Sequence, residues 1–116
     1  FSDKEGNNTG LFLNYIGGLQ QYLPDAMLFF APYVNSYRRF VIDASAPINT
    51  HWGLENRTVG FRVPSSKGDS RRVENRIPGS DTNPYLAITL EELKIESLVQ
   101  ILTHISQLLR HLLVDI

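Results

Sequence analysis

SRRVENRIP, residues 70–78, sets three arginines around one glutamate and closes on a proline. On a strand, successive side chains point to opposite faces. Arg72, Glu74 and Arg76 would then share one face, with Val73 and Asn75 on the other. The run just before it, RTVGFRVP (57–64), also reads as a strand, and SSKGDS (65–70) between them reads as a turn. The spacing predicts an antiparallel pair over about 57–64 and 71–77.

Outward from this pair, helices are expected on both sides, which makes the fold class α+β: antiparallel strands with flanking helices. Residues 1–10 form a loop rich in Gly, Asn and Asp. Thr9 is placed to cap a helix over 10–23, with apolar Leu11, Leu13, Ile16, Leu19 and Leu23. Gly17-Gly18 in its middle is costly unless a backbone packs close there. Pro24 opens a second apolar segment, Ala26 to Ala31, which Pro32 stops. Residues 33–56 read as an irregular loop, and its length and aromatic and basic content mark it as functional. A further helix is expected from Tyr85, after Asn83-Pro84. Residues 90–114 repeat apolar side chains with a helical period.

Composition narrows the function. The chain has 116 residues and a net charge of −1, so no global field points to nucleic acid or an anionic membrane. It has no cysteine, which excludes disulfides, thiolate chemistry and cysteine zinc sites. The apolar runs MLFF and LLRHLLV are too short to span a bilayer. The polar start, FSDKEGNNTG, is unlike a signal peptide and lacks an initiator methionine, as expected of a chain cut from a longer one.

The chemical signal is arginine. Arg38, Arg39, Arg57, Arg62, Arg71, Arg72 and Arg76 fall within 39 positions, with Lys67 alone among them. A planar guanidinium matches the paired oxygens of carboxylate and phosphate. Glu74 between Arg72 and Arg76 has two readings. It is either a neutralising ion-pair partner or a ligand for a hard cation that bridges phosphates. The remaining polar residues carry less. His51 is a lone loop histidine, and His104 and His111 have no carboxylate companions. Trp52 and Phe61 read as packing residues, and GLENR as a surface turn.

Taken together, NSYRRF (35–40), AP (46–47), WGLENR (52–57), FRVP (61–64), RRVENR (71–76) and NPYLAI (83–88) resemble, in order and spacing, the catalytic domain of the glutamine synthetase family. The resemblance covers about residues 1–88, and its flavour is nearest the branch with γ-glutamylpolyamine synthetases. It implies an ATP-dependent carbon–nitrogen ligase. Such enzymes phosphorylate glutamate to γ-glutamyl phosphate, which ammonia or an amine then attacks, with Mg2+ or Mn2+ as cofactor. By the same resemblance, Arg39 and Arg76 bind substrate glutamate. Arg57 and Arg62 are catalytic and contact the ATP phosphates, and Arg72 is a further nucleotide contact. Glu74 becomes a metal ligand. The family's flap glutamate would fall at Ser45. A hydroxyl lacks its charge, which favours a bulkier amine such as a polyamine. The resemblance also implies a cytoplasmic enzyme, a homo-oligomeric ring with sites shared between subunits, and no nucleic-acid or membrane partner. The N-terminal domain and the other metal ligands would precede Phe1, so the chain alone is expected to be an inactive fragment. The alternative is a non-catalytic, truncated or misassembled chain that at most associates with other subunits.

Residues 89–116 depart from the family. Codons for Asp69–Ile88 can be chosen so that the same bases, read one base out of frame, spell Thr89–Gln107 and begin Leu108. The amphipathic tail is therefore expected to be an out-of-frame reading of a duplicated segment.

Overall fold

The computed structural model describes residues 1–66 and 68–92. Helix α1 runs Gly10–Phe30, a 3-10 turn spans Val34–Arg39, and strands β1 (Trp52–Leu54) and β2 (Phe61–Val63) follow. A 3-10 turn at Gly68–Ser70 leads into β3 (Glu74–Asn75), and helix α2 occupies 84–92. The fold is α+β, as expected. The tail beyond 92, with His104 and His111, lies outside the described residues.

Thr9 caps α1 as its sequence suggests. Its backbone is extended, and its hydroxyl accepts a hydrogen bond from the Phe12 N–H at 3.3 Å. The helix does not stop at 23: Pro24 lies inside it. Proline removes one backbone bond, but Leu23, Ala26 and Phe30 continue the buried face begun by Leu19. Burial of that face outweighs the lost bond. Gly18 is buried on this face, whereas Gly17 is exposed, with no neighbour where a Cβ would stand. The close approach expected at the glycine pair is therefore absent at Gly17.

The antiparallel pairing is present but short. Phe61 faces Asn75 and Arg62 faces Glu74. Residues 57–60 stay outside the strand. The 33–56 region, expected to be wholly irregular, contains both the Val34–Arg39 turn and β1. β1 runs parallel to β2, pairing Trp52 with Phe61 and Leu54 with Val63, which makes the sheet mixed. Parallel neighbours ordinarily need a long crossover. Here a three-residue strand returns over only about 7 Å, and residues 55–60 suffice. Glu55 turns the chain with φ 51°.

Phe61 and Val63 are fully buried, with Arg62 between them on the opposite face. Phe61 packs with α1, Ile77 and Ala87, and Val63 with Phe12 and Ile16. Trp52 packs edge-on against Phe12, 5.6 Å between ring centres, so Trp52 and Phe61 both serve packing, as expected. Glu91, just beyond the family-like stretch, accepts hydrogen bonds from the Tyr15 hydroxyl (3.0 Å) and the Asn75 amide (2.9 Å). That contact holds α2 against α1 and β3.

Candidate active site

Burial of Phe61 and Val63 forces Arg62 outward, and the β2–β3 register brings Glu74 beside it. Arg62 Nη1 donates to Glu74 Oε2 at 2.7 Å, and Nη2 donates to Glu55 Oε2 at 2.9 Å. Glu55 and Glu74 together hold the Arg62 guanidinium firmly in its charged form. Its buried Nε has no hydrogen-bond partner among the described residues. Glu55 also accepts from the Ser65 backbone N–H. That bond, then Arg62, keeps its carboxyl below the ordinary carboxylate value. Its folded-state contacts are thus present at neutral pH and weaken as acid titrates Glu55. GLENR is therefore more than a surface turn: Glu55 is the site residue that sequence reasoning missed. The signal was a carboxylate directly after WGL and six residues before FRV, legible only once β1 is seen to lie beside β2.

Arg76 extends the cluster. Its Nε lies 3.7 Å from Glu74 Oε1, its Nη2 donates to the Ser45 carbonyl at 3.0 Å, and its Nη1 donates to the Arg57 carbonyl. These contacts seat the 41–48 loop against the sheet. The loop, Arg57 and Arg76 enclose a cavity of about 490 Å³. A neighbouring cavity of about 300 Å³ is lined by Arg39, Arg76 and residues 44–46. Glu74 and Arg76 thus share a side, as alternation required, while Val73 packs on the core.

The structure brings Arg39, Arg57, Arg62, Glu74 and Arg76 into one region. Arg72 is exposed and makes no hydrogen bond or ion pair with the described residues. Arg71 turns inward instead: it bonds Asn8 and the carbonyls of Gly6 (3.1 Å) and Ser66 (3.2 Å), fastening the N-terminal loop to Ser66.

Among the described residues no three His, Asp or Glu side chains cluster to hold a metal. Glu74 is a hard oxygen donor with 43 % of its side chain exposed. It fits a divalent cation as one ligand of about six, not as a cage.

Residues 1–90 match the family described as glutamine synthetase, catalytic domain. The chain belongs to the glutamine synthetase family. It is 41 % identical over 87 residues to the γ-glutamylputrescine synthetase PuuA of Escherichia coli K12, covering 75 % of this chain and 18 % of that protein. It is 44 % identical over 75 residues to a glutamate–isopropylamine ligase of a Pseudomonas species, covering 65 % of the chain and 16 % of that protein. A glutamine synthetase of Methanococcus voltae is 44 % identical over 82 residues, 71 % of the chain and 18 % of that protein. The chain spans under a fifth of the length of these relatives. Relatives named for an amine substrate and relatives named glutamine synthetase match it at similar identity.

Proposed function

We propose that the chain supplies one wall of a glutamate–amine ligase site, in which ATP activates glutamate as γ-glutamyl phosphate and ammonia or an amine displaces the phosphate. The observation that carries this reading is the pairing of β2 with β3, which sets Arg62 and Glu74 side by side next to the Arg57–Arg76 cavity. Arg39 and Arg76 line one cavity and suit the two ends of glutamate. Arg57 and Arg62 suit phosphate oxygens, with Arg72 a more distant nucleotide contact. Arg62 is held by two carboxylates, so it meets a phosphate already oriented and exchanges one partner for it. Such preorganised charge is what phosphoryl transfer requires. Ser45 at the cavity wall supports an amine larger than ammonia. The complete cytoplasmic enzyme works as a ring of identical subunits, and this 116-residue chain by itself is inactive.

Mg2+ or Mn2+ would neutralise phosphate charge, with Glu74 as one ligand. In the full-length enzyme carrying this segment, Glu74→Gln is expected to weaken Mn2+ binding about ten- to a hundredfold, the worth of one charge-assisted contact, and to lower activity with it. Mn2+ titration measures the first directly. Unchanged Mn2+ affinity would return Glu74 to a structural ion-pair role.

Residues 89–108 are proposed to be a frame-shifted repeat of the bases encoding 69–88. Genomic sequencing across the segment should find those bases again, one frame out, immediately downstream. A coding sequence without the repeat ends that idea.

A further inference from the structure

The loop at 78–82 passes directly beneath Arg39. A Cβ at Gly79 would stand 2.6 Å from Asp81 Oδ1, 2.7 Å from Arg39 Nη2 and 2.8 Å from Arg39 Cζ. The carboxylate and the guanidinium therefore crowd the same face of Gly79, and only a hydrogen atom there leaves them room. They make no direct ion pair, yet Arg39's charge helps keep the Asp81 carboxyl below its ordinary value, after the larger effect of Ser36.

Each part is anchored from behind. Ser36 is buried, and its hydroxyl donates to Asp81 Oδ2. The same hydroxyl accepts from the Tyr33 N–H at 3.1 Å, which fixes it at the start of the Val34–Arg39 turn. Thr82 bonds the Phe30 carbonyl at 2.8 Å and accepts from the Gly79 N–H at 3.1 Å, tying the loop to the end of α1. Arg39 itself donates to the Ile77 carbonyl at 3.1 Å and lies 4.8 Å over the Phe40 ring.

We propose that Asp81, braced by Ser36 and given room by Gly79, is a positioning residue that aims the Arg39 guanidinium into the cavity it shares with Arg76. This rests on the reading of Arg39 as a glutamate-binding residue. Because Asp81 stands close without pairing, it biases the guanidinium's pose and leaves the donors not taken by the Ile77 carbonyl free for a substrate carboxylate. Asp81 is exposed, so its removal should leave the fold intact. Gly79 does not need a left-handed backbone, so Gly79→Ala acts by pushing the Asp81 carboxylate and the Arg39 guanidinium, not by straining the chain.

The test uses the full-length enzyme carrying this segment, with KM for glutamate, KM for ATP, kcat and melting temperature read for Arg39→Ala, Asp81→Asn, Gly79→Ala and the double variant Arg39→Ala/Asp81→Asn. Arg39→Ala should raise the glutamate KM about ten- to a hundredfold, the worth of one charge-assisted contact. Asp81→Asn and Gly79→Ala should each raise it about three- to tenfold, within that range or below it, with the ATP KM and melting temperature unchanged. The double variant should be no worse than Arg39→Ala alone, because a residue acting through Arg39 has nothing left to aim. If Arg39→Ala raises the glutamate KM while Asp81→Asn and Gly79→Ala do not, the positioning role is wrong and the substrate reading stands. Additive losses in the double variant, or an equal rise in the ATP KM, also overturn the positioning role. If Arg39→Ala leaves the glutamate KM untouched, the substrate reading of Arg39 falls, and the positioning role falls with it.

Discussion

Arg62→Ala in the full-length enzyme is expected to lower kcat about a hundred- to a thousandfold, the usual cost of deleting one preorganised donor to a charged transition state. The side chain is 16 % exposed, held between Glu74 at 2.7 Å and Glu55 at 2.9 Å. Both carboxylates keep substantial exposure, 43 % and 51 % of their side chains, so water can solvate them once the arginine is gone. Pairs whose carboxylates stay this well solvated contribute roughly as surface pairs do, about 0–1 kcal/mol each. The kinetic loss should therefore appear with little change in melting temperature. Arg62→Lys should also lose turnover despite its charge, because a point ammonium cannot span two carboxylates and still present a fork to phosphate. Steady-state kinetics beside thermal denaturation separate the two quantities. A kcat within tenfold of the parent for Arg62→Ala would remove this arginine from the chemistry.

Phe61→Ala should act on the fold instead. Its ring is wholly buried where α1, Ile77 and Ala87 meet. Removing such a ring costs about 3–5 kcal/mol through lost burial and the cavity left behind. That is a large share of the roughly 5–15 kcal/mol that holds a domain together. β2 depends on this anchor, so Arg62 and its register with Glu74 should be lost with it. The expected result is a clearly lower melting temperature and soluble yield. Leu54→Ala serves as the comparison: its side chain is 62 % exposed on the neighbouring strand and should change neither. Equal effects for both variants would mean that the Phe61 anchor does not hold the sheet.

Local chemistry was legible in the sequence. Thr9 announces a helix start because a short hydroxyl beside an apolar period satisfies a free backbone N–H, and it does so here. Alternation in RRVENR announced a strand face with Glu74 and Arg76 together, and the antiparallel partner was legible from the turn before it. The family was legible because several motifs agree in order and spacing. Three things needed the tertiary structure. Helix α1 runs through Pro24 because Leu23, Ala26 and Phe30 bury against residues up to Ala87, far along the chain. WGL becomes a strand only because FRV lies beside it, which supplies backbone partners that three residues cannot announce alone. Arg76 reaches the Ser45 carbonyl across 31 positions, and Glu55 meets Arg62 only after the chain has turned back at φ 51°. Capping and alternation depend on near neighbours and can be read from the order of residues. Which guanidinium meets which oxygen depends on how distant segments share one core, and only the folded chain decides that.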